Sequence, residues 1–216
     1  MIKQILVIVS MEVMIVGAIG IKSRTITSKL FFLCHTMLGV TLLSFVEWNE
    51  YAIIGGMFQL IFRGAGLLFL IPLLHMICKK NEIHEINDID GIGRKMPYAY
   101  LALVLFSALV IGIPITGTFT GLIYSGMGFV ADGMEKIEYV ALIGNLIGFI
   151  IPSAIVFPVL KKMYFPVKGT EEKQVVLLAD GVVALSLMAA LILAVFCVYQ
   201  KPILMIAKKA VEMMLD

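Results

Sequence analysis

Charge is scarce in this sequence. Asp, Glu, Lys and Arg supply 15% of 216 residues and the formal net charge is +2, and neither a basic arm nor an aromatic-interleaved basic patch occurs, so no nucleic-acid partner is expected. Cysteine is nearly absent: Cys34, Cys78 and Cys197 are scattered, which excludes a disulfide framework or a CxxC metal site. The sequence has no Cys cluster, no His pair at ligand spacing and no dinucleotide fingerprint, so no flavin, haem, cluster or other cofactor and no resident metal is expected. No small-residue cleavage site follows the first apolar run, which is therefore read as a retained span.

What is present in excess is apolar. Hydrophobic residues make up 61% of the chain and the mean hydropathy is +1.02, far from the balance of a soluble domain. These values predict an all-α, polytopic bundle of transmembrane helices, multi-pass in the lipid bilayer, with six to seven membrane segments. The segments run from about Gln4 to Gly20, Leu30 to Val46, Ile53 to Ile77, Tyr98 to Gly128, Tyr139 to Leu160 and Val175 to Tyr199, each near or beyond the roughly 20 residues that cross a bilayer. Residues 1–202 form the membrane domain. Residues 203–216, with apolar positions at helical spacing opposite Lys208, Lys209 and Glu212, read as an amphipathic helix at the interface or against a partner. The connector from Lys79 to Lys95 mixes acids, lysines and His84 and is expected to be a solvated loop. The Lys/Arg-rich links Lys22–Lys29, Lys79–Lys95 and Lys161–Lys173 share one side if there are six crossings, and the last of them moves across if Pro114 opens a seventh.

Ionisable residues inside spans mark candidate sites. Glu12 sits at the centre of the first span, where a carboxylate is costly unless it is protonated, paired or facing a wet cavity; it is either an ion-path residue or one satisfied by a neighbouring helix or subunit. His35 is a relay candidate near the start of the second span, and Arg63 lies inside the third. Gly64 and Gly66 next to Arg63 suit close helix approach. The fourth segment carries a break at Gly112-Ile113-Pro114, followed by Thr116, Gly117, Thr118, Thr120 and Gly121. Backbone groups freed there need neighbouring protein or water, and a broken helix at membrane depth points to a solute or ion path.

These stretches carry a resemblance. GIGRKMP at Gly91–Pro97, seventeen residues ahead of Pro114, and GIPITGTF at Gly112–Phe119 resemble the paired signatures GLxRxMP and GIPPxxGF of antiporter-like membrane subunits. Those subunits belong to complex I-type NADH dehydrogenases, membrane-bound hydrogenases and Mrp-type multisubunit cation/proton antiporters. A fainter likeness, TSKLFFLCHTMLG to DxKRxxAYSSxSxxG, extends it upstream. The family segment with a His and a Lys one turn apart falls on Gln59 and Arg63, and the Lys or Glu that follows the second signature falls on Leu122.

The resemblance implies a discontinuous helix near Pro114 and a place in the cytoplasmic or inner membrane beside other subunits of an H⁺- or Na⁺-translocating complex. The substitutions imply a shortened, degenerate subunit, structural or coupling rather than an independent pump and itself non-catalytic within a possible redox-driven complex. Arginine keeps its proton where a lysine can lose it, so Arg63 is expected to hold a fixed charge opposite Glu12 or a partner's carboxylate. The other reading is a small stand-alone transporter or a non-transporting scaffold.

Overall fold

A computed structural model of the chain describes residues 2–131, 133, 135–165 and 175–215, with helices and no strand among the described residues. Helix α1 (Ile2–Gly17) runs on into the short α2 (Ile19–Lys22), followed by α3 (Ile26–Ser44) and α4 (Glu50–Lys80). A 3-10 turn (Ile86–Ile89) and α5 (Ile92–Lys95) lead to α6 (Pro97–Ile111) and α7 (Gly117–Ala131). Helices α8 (Lys136–Tyr164), α9 (Asp180–Val198) and α10 (Lys201–Leu215) complete the chain. Side-chain caps and proline set several of these boundaries. Thr25 Oγ1 accepts the Ser28 N–H at 3.3 Å at the start of α3, Asn49 Oδ1 accepts the Ala52 N–H at 3.0 Å at the start of α4, and Pro97 opens α6, where a missing N–H costs nothing.

Five segments are long and apolar enough to cross a membrane: Ile2–Lys22, α3, α4, α8 and α9. The sixth is built differently. Its approach, Ile86–Lys95, meets α6 at 118°, and α6 and α7 are 15 residues each, about 22 Å apiece and short for a span. The two lie end to end along α4. Phe106 of α6 stacks on Phe69 at 5.3 Å, and Leu109 and Val110 face Gly66. Beyond the break Gly117 faces Phe62, Gly121 faces Gln59, and Gly128 faces Ala52. Rising numbers on α6 and α7 meet falling numbers on α4, so the two half-helices form one broken crossing antiparallel to an unbroken helix of 31 residues. Among the described residues the bundle therefore has six crossings, the lower of the two expected numbers.

Both ends agree with that count. At one end the Lys3 ammonium pairs with Glu47 at 2.7 Å and with Glu138, and Asn49 Nδ2 donates to the Gly128 carbonyl at 2.9 Å. At the other, the Ile26 N–H donates to His84 O at 3.0 Å and the Gly91 N–H to Lys162 O at 3.0 Å, while Arg94 Nε donates to Tyr164 O at 2.6 Å. The basic links at Lys22, Lys79 and Lys161 thus gather at one end; residues 166–174 of the last lie outside the described residues. The Lys79–Lys95 connector departs from the solvated loop expected. Ile83, Ile89 and Ile92 are buried in the core and Ile86 packs against it, because isoleucines spaced by three give this turn one apolar side.

Small residues let the remaining helices close up. A Cβ on Gly39 would meet the Met14 N and the Ser10 carbonyl of α1 at 2.6–2.7 Å, so α1 and α3 pack nearly backbone to backbone. The last helix, α10, buries Ala207 and Val211 in the core and leaves Lys208, Lys209 and Glu212 exposed.

Candidate functional site

The chain breaks between Ile111 and Gly117. Gly112 takes the left-handed conformation, φ 86°, that ends a helix with its N–H on the Ala108 carbonyl at 3.0 Å. Ile115 is also at positive φ, 92°, a strained setting for a β-branched side chain. Threonines close the gap that an apolar chain could not. Thr116 Oγ1 donates to Ile113 O at 2.7 Å and accepts the Phe119 N–H at 3.3 Å, capping α7. Thr118 Oγ1 donates across the break to Leu109 O at 2.6 Å. Gly117 is required by proximity: any Cβ there would overlap the Phe62 ring.

A polar layer adjoins the break. Gln59 is fully buried, and its Nε2 donates to Ser44 Oγ of α3 at 2.6 Å and to Ser125 Oγ of α7 at 3.1 Å. Each serine spends its own proton on its helix, Ser44 on Val40 O at 3.0 Å and Ser125 on Gly121 O at 2.9 Å. Every proton in the Ser44–Gln59–Ser125 group is therefore committed, and none of the three titrates in the physiological range. Asn145 Nδ2 of α8 adds a bond to the backbone carbonyl of Leu122 at 2.8 Å.

Arg63 stands one turn from Gln59 on α4, at the level of the break, because its neighbours Phe62 and Gly66 face Gly117 and Val110. It is 1% exposed, and its Nε, Nη1 and Nη2 have no hydrogen-bond partner among the described residues. The last carbonyls of α6 form the negative end of a helix dipole at this level, a favourable neighbour for a cation. Between Glu50 and His75 on α4, and throughout α6 and α7, the sequence has no other Asp, Glu, Lys, Arg or His. The axis thus holds one permanent charge and fixed hydrogen-bond donors.

The structure brings together Gln59, Arg63, Gly112, Pro114 and Gly117. Two other candidates lie elsewhere. Glu12 is exposed on α1 and does not sit opposite Arg63. His35 is half-buried on α3, its ring 4.8 Å from Phe31. Of the glycines beside Arg63, Gly66 meets α6 whereas Gly64 has open space around its Cβ position. Sequence reasoning passed over Ser44 and Ser125 and read Lys29 only as part of a basic link and of the fainter likeness. The signal for the serines was a lone hydroxyl inside an apolar span; Lys29, 3% exposed, donates to Gly20 O and Ile21 O at 3.1 and 3.2 Å, capping the end of α2. Among the described residues no group of three His, Cys, Asp or Glu side chains converges.

No family model and no curated protein sequence matches the chain. Solved structures do. A chain of the membrane-bound sulfane sulfur reductase, an archaeal respiratory membrane complex, superposes with TM-score 0.83 at 14% identity, over 100% of this chain and 43% of that one. A chain of the Mrp complex from Dietzia sp. DQ12-45-1b gives 0.78 at 14% identity, over 99% and 47%. A chain of respiratory complex I from Thermus thermophilus gives 0.74 at 18%, over 99% and 45%. The chain spans less than half the length of each. Its fold is that of one part of a longer chain in each of these three membrane complexes, as the paired signatures led one to expect.

Proposed function

We propose that this chain is a membrane-arm subunit of a multisubunit H⁺- or Na⁺-translocating complex of the complex I, membrane-bound hydrogenase or Mrp type, acting as a structural or coupling element rather than as a pump. One observation carries this reading: the buried axis at the helix break contains Arg63 and hydrogen-bonded amide and hydroxyl groups, and none of them can gain and lose protons in turn. A fixed charge there biases the charge state of groups in adjoining subunits without carrying the ion itself. Gln59 and Arg63 with the break at Gly112, Pro114 and Gly117 form the polar axis. Glu12 faces outward and His35 lies toward the outer surface, so any ion step at Glu12 takes place at a boundary between subunits. The end that gathers Lys22, Arg24, Lys79, Lys80, Arg94 and Lys161 faces the cytoplasm by the positive-inside rule, in the cytoplasmic or inner membrane. The last helix, α10, lies at the interface, a reading supported by its exposed Lys208, Lys209 and Glu212.

Purification from its own membranes in mild detergent tests the assignment. Co-purification with a hydrogenase-like or NADH-dehydrogenase-like arm, or with antiporter subunits, is expected. Recovery of the chain alone with solute flux of its own overturns the assignment and favours a stand-alone transporter; recovery alone without flux favours a scaffold.

A further inference from the structure

Helix α1 has two unlike sides. Val7, Ser10, Met14 and Gly17 are buried, packed toward α3 and α8. On the opposite side Ile5, Ile8, Glu12, Ile15 and, at the start of α2, Ile19 succeed one another at intervals of three, four, three and four residues. All five are exposed, the isoleucines at 53, 54, 55 and 56%. An isoleucine row facing lipid needs no explanation, but the carboxylate in its middle does. Glu12 sits at the centre of the Ile2–Lys22 span, where an unpaired charge is strongly disfavoured. Lys3 and Lys22 on the same stretch are nine and ten positions away, about 14 and 15 Å along the axis, and Lys3 is engaged by Glu47 and Glu138. Arg63 is buried on α4. Glu12 has no ion-pair partner among the described residues.

The 3-4-3-4 spacing is that of a helix–helix seam with one polar position, the kind that fixes register between partners. A second copy of this chain is a poor occupant, since symmetric pairing sets Glu12 against Glu12 and like carboxylates repel. We propose that this row is the docking face for a transmembrane helix of a neighbouring, different subunit that carries an arginine or lysine at the depth of Glu12. The inference rests on the membrane-arm reading and adds to it the face and the chemistry of the contact.

Benzoylphenylalanine placed at Ile8 or Ile15, photolysed in intact membranes of the producing cells, tests it, with Leu191 on the exposed side of α9 as control. Both positions are expected to attach to the same helix of another subunit, with a Lys or Arg between the two attachment points. Glu12→Leu is expected to abolish the adducts while the chain stays in the membrane at its usual level. Glu12→Arg combined with an acidic replacement of the partner's base is expected to restore them. Lipid adducts only, adducts to a second copy, a partner helix without a basic residue, or adducts indifferent to Glu12→Leu each overturn the docking face. A complex that purifies with other subunits yet gives lipid adducts sinks the docking face alone, whereas a chain that purifies by itself sinks the membrane-arm reading and the docking face with it.

Discussion

The carboxamide of Gln59 donates to the hydroxyl of Ser125 at 3.1 Å, tying the unbroken helix α4 to the second half of the broken crossing. The same nitrogen reaches Ser44 on α3, so one side chain joins three helices at membrane depth. Gln59→Leu removes both donors at nearly constant volume. The serines keep their own bonds to Val40 and Gly121, so the expected loss is only about 1–2 kcal/mol, read by equilibrium unfolding in mixed lipid–detergent micelles. A change within about 0.5 kcal/mol, the range of an indifferent substitution, would show that the network adds nothing to stability.

The break depends on Gly117 lying against the Phe62 ring. Gly117→Leu forces ring and helix apart and is expected to cost about 1–3 kcal/mol by overpacking. Phe62→Ala alone opens a cavity and costs about 3–5 kcal/mol. In the double variant the new leucine fills part of the space left by the ring, so the combined loss should fall short of the sum by at least about 1 kcal/mol, as expected for residues in contact. Additive losses would mean that the two do not meet.

Much of this architecture is legible in the sequence. Apolar runs located every crossing to within a few residues, and Gly112 with Pro114 marked the break. That Gln59 and Arg63 lie at the level of the break follows from the packing of Phe62 and Gly66 on Gly117 and Val110, not from either segment read alone. What failed to show was lateral arrangement. A run that is apolar all round, such as α1, does not say which side meets the bundle, so Glu12 was set against Arg63 although it lies on the outer face of its helix. The connector from Lys79 to Lys95 hides its packed side behind charge, because its acids, lysines and His84 outnumber the isoleucines spaced by three that carry it into the core. Six crossings rather than seven followed only from the register of Gly117, Gly121 and Gly128 along α4, which no single run of sequence contains.

That register has a direct consequence for topology. Single cysteines replacing Glu50, Glu135 and Lys80, in a background where Cys34, Cys78 and Cys197 are serine or alanine, should divide into two classes. Glu50→Cys and Glu135→Cys are expected to react with a membrane-impermeant maleimide from the same face, and Lys80→Cys from the opposite face. Opposite labelling of positions 50 and 135 would require a seventh crossing and would contradict the pairing of α6 and α7 as halves of one span.

At the same end as Glu50, the Lys3 ammonium lies between two carboxylates, Glu47 and Glu138, whose side chains are 11 and 6% exposed against 38% for the lysine. Replacing Lys3 by Met leaves two neighbouring carboxylates shielded from water without a counter-charge. The partial exposure of the ammonium tempers the effect, so a loss of about 1–2 kcal/mol is expected. Adding Glu138→Gln to the Lys3→Met variant removes the repulsion and should recover a good part of it. If the second change makes matters worse, the carboxylates are being held by something other than Lys3.

Arg63 gives the sharpest test, because burial and function pull its substitutions in opposite directions. A guanidinium that is 1% exposed and without hydrogen-bond partners among the described residues weakens the isolated chain, and removing a charge of this kind at membrane depth is favourable by about 2–3 kcal/mol. Arg63→Met in the purified chain should therefore unfold at higher denaturant. Arg63→Lys should fall between, since a lysine in the same place can shed its proton and remain neutral. In the assembled complex the same Arg63→Met change deletes the fixed charge at the helix break, and ion translocation should fall even as the subunit itself becomes more stable. A stabilised chain with unchanged translocation would leave Arg63 without a coupling role. A destabilised one would show that the guanidinium has a partner within the chain's own fold.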